Sequence, residues 1–208
     1  LFVNETSQNS RFKKHIVVFG NTNYKKKFNI KYVNINLKKS ILSSQTKNYV
    51  NRFSVLQKKY NFSIIEIHNR PSYIKQLSKK LKNQVYSLYF HNDPLSMDGS
   101  ESIEDRKFLL KTCYKIIFNS NWSKKRFLEG MENKFINSDK LSIFYQSAKK
   151  GSLSLIKNKK RWITFVGKLN KAKGYDIFCK AIVDVLNMNK SWRAKVIGDE
   201  KRENLELN

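Results

Sequence analysis

Two tetrapeptides of one form, His68-Asn69-Arg70-Pro71 and His91-Asn92-Asp93-Pro94, hold both prolines of the chain and two of its three histidines. Each follows an apolar run, SIIEI before the first and VYSLYF before the second. A strand therefore runs into His, and the Pro stops it from continuing. In an open parallel sheet the carboxyl ends of the strands share one edge, where ligands bind. Two successive units of this kind put two imidazoles, a guanidinium and two carboxamides along one crevice. A single HNxP would read as a cap and turn; the pair reads as a functional site.

A second cluster is the run from Phe165 to Tyr175, FVGKLNKAKGY. A strand ends at Gly167, the following loop carries Lys168, Lys171 and Lys173, and a helix starts near Gly174. Backbone N–H groups at a helix start attract phosphate, and the lysines add charge. The glycine spacing fits neither a P-loop nor GxGxxG. An ordinary solvated Lys loop is the bland alternative. Farther on, Gly198 in VIGD follows an apolar strand and permits close backbone approach of a ligand, or simply a turn. Cys113 and Cys179 lie on apolar helical patterns and read as core. His15 opens a strand; no Cys/His spacing suits zinc, so no metal is expected, and no GxSxG nucleophile elbow is present.

These residues need a scaffold. Short β-branched or aromatic runs at His15–Phe19, Ile30–Ile35, Ser63–Ile67, Val85–Phe90, Lys115–Phe118, Leu141–Tyr145, Trp162–Val166 and Ala194–Ile197 alternate with helical spacing. The helical sets are Tyr49, Phe53, Leu56 and Tyr60; Leu109 with Cys113; Phe127 with Met131; and Phe178, Ala181, Ile182, Val185 and Leu186. Ser100 or Ser102, and Ser120 or Asn121, mark helix starts. The alternation predicts an α/β fold with parallel sheets. SAKKGSLSLIKNKK at 147–160 interrupts it as a linker. The expected organisation is a Rossmann-like doubly wound domain over 1–150, a linker over 151–160, and the first βαβ of a second such domain over 161–208. Leu1 at one end and the polar 200–208 at the other read as cuts in a longer chain.

The chain has 208 residues and a formal charge of +26, with 34 of its 42 basic residues being Lys. Residues 1–150 carry 29 basic and 10 acidic residues, net +19, dispersed in pairs and triplets. A basic tail is excluded; a basic face is not. The 13% aromatic and 40% apolar content argues against disorder. No apolar run approaches the roughly 20 residues of a membrane span. Two cysteines are too few for a disulfide scaffold and suit a reducing cytosol.

Taken in order, the segments resemble the family 4 glycosyltransferases of the GT-B architecture. FVGKLNKAKGYDIFCKAI followed by KVIGDE is similar to the opening of that family's second domain. LYFHNDP, IIFNSNWSKKRFL and IIEIHNRP resemble strand ends of its first. The resemblance spans about residues 60–199. It implies transfer of a sugar from a nucleotide-diphosphate donor, metal-independent and with retention, to a saccharide or lipid-linked acceptor. By the resemblance, Lys173 meets the donor diphosphate, Lys168 stands where the family usually has Arg, and Gly167, Gly174 and Gly198 approach the nucleotide. His91 lies near the transferred sugar, while His68, Asn69, Arg70 and Asn92 face the acceptor. SIFYQSA departs from the family's usual Asn-Gly-Val-type turn, and the family's E-x7-E carboxylates lie beyond this sequence. The expected location is cytoplasmic, with a basic first domain drawn to anionic lipid; no cofactor beyond the donor and no specific nucleic acid is expected. Two other readings stand beside it: a basic nucleic-acid-binding protein, which would leave the paired HNxP segments unexplained, and a GT-B-like domain used for binding alone.

Overall fold

The computed structural model describes residues 2–22, 30–37, 44–146 and 160–199. It divides into two compact units, Leu1–Ala148 and Lys149–Asn208. The linker expected over 151–160 lies, apart from Lys160, outside the described residues.

The described strands are β1 (Val17–Gly20), β2 (Lys31–Asn34), β3 (Ile64–His68), β4 (Val85–Phe90), β5 (Lys115–Phe118), β6 (Leu141–Ile143), β7 (Trp162–Val166) and β8 (Arg193–Ile197). They fall on the eight runs expected from the sequence. All pairings are parallel: β1 with β2, a four-stranded sheet in the order β3-β4-β5-β6, and β7 with β8. This is an α/β protein with a Rossmann-like parallel sheet. β4 is buried from Tyr86 through Phe90. Such a continuous run, rather than an alternating one, is what a central parallel strand covered on both faces requires. Among the described strands β3 stands at one end of this sheet, and its Ile64 and Glu66 are exposed while Ile65 and Ile67 are buried.

The helices are α1 (Phe2–Asn9), α2 (Gln45–Gln57), α3 (Pro71–Lys80), α4 (Ile103–Thr112), α5 (Asn121–Leu128) and α6 (Tyr175–Met188). Serine side chains satisfy free N–H groups at three starts: Ser44 accepts from Lys47, Ser102 from Asp105 and Ser120 from Ser123. Of the alternatives offered by the sequence, Ser102 and Ser120 are thus the caps. α3 starts on Pro71 at its first turn, where the missing N–H costs nothing. Asn69 carries a positive φ of 53°, which turns the chain from β3 into that helix.

Several local expectations change. His15 ends a 3-10 turn (Lys13–His15) and β1 begins at Val17. Tyr60 and Met131 lie beyond their helices, because Asn61 (φ 48°) and Gly130 (φ 73°) leave the right-handed region. Cys113 caps α4 and is buried, and burial pushes its thiol up to about 12, so it is inert core. Cys179 is only partly buried, because among the described residues only the two-stranded sheet β7–β8 lies in its unit to cover α6.

The core of the first unit joins Leu88 and Phe90 of β4, Ile116 and Phe118 of β5, Leu109 of α4 and Phe127 of α5. Phe90, Phe118 and Phe127 pack ring to ring at centroid distances of 5.3–5.7 Å. In the second unit Phe165 of β7 packs on Tyr175 and Phe178 of α6, at 5.3 and 5.2 Å. Among the described residues no helix is long and apolar enough to cross a membrane.

Candidate functional site

The parallel register places His68 opposite Tyr89, with His91 just past the end of β4. The two HNxP strand ends therefore meet. His68 Nδ1 lies 2.8 Å from His91 Nε2. The far nitrogen of His68, Nε2, lies 2.9 Å from Oε1 of Glu66. Residues 66 and 68 share a face of β3 because side chains repeat every two residues along a strand. The far nitrogen of His91, Nδ1, meets the Nε2 amide of Gln146, just past β6. Glu66, His68, His91 and Gln146 thus form one chain of hydrogen bonds across the carboxyl edge of the sheet.

Four neighbours fix His91. Its backbone N–H donates to Asn69 Oδ1 (2.7 Å), while the Asn69 N–H donates to the Tyr89 carbonyl (2.9 Å). The Asn69 side chain so continues the ladder where its positive φ has turned the backbone away. On the other side, Asn119 Nδ2 donates to the His91 carbonyl (2.7 Å). The ring is sandwiched as well: Tyr89 stacks at 4.3 Å with an 8° interplanar angle, and Phe2 of α1 approaches edge-on at 4.9 Å. Tyr89 in turn donates its hydroxyl to the Phe144 carbonyl (2.5 Å). The loop after His91 is clamped by Asp93, which accepts from Arg126 Nη2 at 3.1 Å and caps the turn at Leu95.

Of the sequence-derived residues, His68, Asn69 and His91 come together. Arg70 turns back onto the Asn69 carbonyl (2.7 Å), and Asn92 is exposed. Glu66, Tyr89, Asn119, Gln146 and Phe2 were missed. Glu66 carried a signal, an acid two residues before a strand-end His; Gln146 carried none.

Burial, followed by the facing His68, lowers the His91 pKa to about 4 from 6.5, against the opposing pull of Glu66. Between those values the unfolded chain binds a proton that the folded chain refuses, so stability should fall as pH drops from 6.5 toward 4. For a partly exposed ring the expected loss is roughly 1–2 kcal/mol. Urea unfolding across that range should reveal it, and His91→Gln should flatten the slope.

In the second unit, Gly167, Lys168, Lys173 and Gly174 lie on one turn between β7 and α6. Asn170, buried and not anticipated, accepts from the Lys173 N–H (3.1 Å) and caps a 3-10 turn over Lys171–Lys173. Gly174 leaves that turn with a φ of 69° and opens α6. Lys168 and Lys173 are both exposed. Asp176 already places a carboxylate in the first turn of α6, where it complements the helix dipole. Gly198 meets the same turn: a Cβ there would lie 2.0 Å from the Gly167 carbonyl oxygen. Glycine at 198 therefore has a packing reason of its own. Among the described residues no group of three or more His, Cys, Asp or Glu is placed to hold a metal ion.

Fold and site together define an α/β protein with a Rossmann-like parallel sheet and a histidine pair at its carboxyl edge. No protein-family model matches the chain, and no curated protein matches it. Among solved structures it is similar to accessory secretory protein 1, 2 and 3 in Streptococcus pneumoniae, at 10% identity and a TM-score of 0.48. The match covers 76% of this chain and 37% of that one, so the chain spans well under half of that relative's length.

Proposed function

We propose that the chain supplies the acceptor-side unit and the opening of the donor unit of a GT-B glycosyltransferase, resembling family 4. The observation that carries this reading is the meeting of two HNxP strand ends at a 2.8 Å imidazole contact. The enzyme moves a sugar from a nucleotide-diphosphate donor to a saccharide or lipid-linked acceptor, without a metal and with retention. Its barrier lies in breaking the sugar–phosphate bond, which leaves a highly charged diphosphate. Lys168, Lys173 and the N–H groups at the start of α6 stabilise that leaving group, with Gly167, Gly174 and Gly198 allowing close backbone approach. His91 holds the sugar, and His68, Asn69, Arg70 and Asn92 line the acceptor side. The protein works in the cytoplasm, and the basic first unit draws it to anionic membrane by about 1 kcal/mol per Lys near the surface.

In the complete enzyme, Lys173→Ala is expected to lower kcat/KM a few hundred-fold, about 3 kcal/mol of transition-state stabilisation. Unchanged kinetics, or unchanged affinity for a nucleoside diphosphate, would overturn the assignment. One observation favours a second reading, a GT-B-like module that binds without catalysis. Both ring nitrogens of His91 are already engaged, by His68 and by Gln146. A wild-type protein that binds saccharide and nucleotide yet gives no turnover with any donor would favour it.

A further inference from the structure

The Glu66–His68–His91–Gln146 chain has a direction. A carboxylate only accepts, so His68 Nε2 carries a hydrogen and donates it to Glu66 over 2.9 Å. With His68 neutral, its Nδ1 is a lone pair, and the hydrogen on the 2.8 Å bond belongs to His91 Nε2. His91 Nδ1 is then a lone pair as well, which is what the Gln146 amide N–H requires. Every group is satisfied with both rings neutral. The reverse direction needs a doubly protonated His68 and a Gln146 turned to present its oxygen.

Phe2 approaches the rings edge-on and Tyr89 stacks along them, so a ligand meets His91 at a ring edge. Nε2 is spent on His68. Nδ1 faces Gln146, an exposed residue on the segment after β6. A fully ionised anion offers Nδ1 no hydrogen; a hydroxyl offers what Gln146 offers now.

We propose that Glu66 is a positioning residue that fixes the tautomers of His68 and His91, so that His91 Nδ1 accepts a hydroxyl of an uncharged, hydroxyl-bearing ligand in the place Gln146 occupies. This rests on the reading above in which His91 holds the sugar, and deepens it, naming the substrate group and the atom that receives it. Gln146 is the stand-in that holds the lone pair until the ligand arrives.

Long-range nitrogen–proton NMR of the histidine-labelled full chain at neutral pH tests it. Both rings should appear as Nε2–H tautomers in the wild type. Glu66→Gln, whose amide can donate or accept, should lose the single tautomer at both rings while the backbone amide spectrum is retained. Gln146→Ala should keep the tautomers and let methyl α-glucopyranoside shift the His91 Nδ1 resonance, with sulfate leaving it in place. A protonated His68 beside an Nδ1–H His91 overturns the proposal, and the wild type alone decides this should a variant not fold. So do unchanged tautomers in a folded Glu66→Gln chain, a shift by sulfate, or no shift by the glycoside. Loss of nucleotide binding in Lys173→Ala is read in the other unit, so failure of the enzyme reading and failure of this one are distinguishable.

Discussion

Gly99→Ala is expected to destabilise the first unit by about 4 kcal/mol, most of it from a backbone collision. Gly99 has a φ of 88°, and a Cβ there would lie 2.5 Å from the Ser72 backbone nitrogen and 2.6 Å from its Cα. Neither atom is a flexible side-chain end that could move aside. The contact joins the two HNxP segments: the loop after His91 docks on the first turn of α3, where the Ser72 N–H donates to the Asp98 carbonyl (3.1 Å). Forcing the loop away breaks that bond and loosens the support of both histidines. Gly130→Ala is the control. It too has a positive φ, but its Cβ would meet only the end of the Ile103 side chain, Cδ1 at 3.3 Å and Cγ1 at 3.9 Å, so about 1 kcal/mol is expected. Thermal unfolding should separate the two by roughly 10 °C at this size. Equal losses would remove the collision argument.

Arg106→Met should cost about as much, 3–4 kcal/mol, for a different reason. Arg106 is only 4% exposed. Its Nη1 donates to the carbonyls of Phe127 (2.6 Å) and Glu129 (2.7 Å), and Nε donates to Ser102 (3.2 Å). The first two are carbonyls that the end of α5 leaves without helical partners. Methionine fills the volume but orphans both oxygens, that of Phe127 in a buried place and that of Glu129 in a half-buried one. Arg106→Lys should recover part of the loss, since one ammonium cannot reproduce the planar fork. Chemical denaturation of the three proteins measures it; a methionine variant as stable as wild type would show that water replaces the guanidinium.

Some of this was legible in residue order alone. The runs SIIEI, VYSLYF and WITFV are apolar, β-branched or aromatic, and bounded by turn residues, which is sufficient to place strands. Helix starts at Ser100 or Ser102 and at Ser120 or Asn121 were legible because a polar side chain before a helical pattern can take a free N–H; the structure chose Ser102 and Ser120. α3 escaped notice because its buried residues, Ile74 and Leu77, are few among lysines and polar residues. α1 escaped too, its apolar content being slight. At the site, repetition exposed His68 and His91. Glu66 looked like any exposed strand acid, and Asn119 and Gln146 like ordinary strand-end polar residues.

The chain by itself determined where its strands lie, that two histidines end adjacent strands on one edge, and that a Lys-bearing turn opens the second unit. Those features follow from local periodicity and from what Pro and Gly do to a backbone. Only the tertiary structure decided that the imidazoles bond to each other, that Glu66 and Gln146 close the line at its two ends, and that Gly99 locks the loops together. Hydrogen-bond partners and close backbone approaches depend on register between segments far apart in sequence, and no local pattern encodes a distance across a sheet.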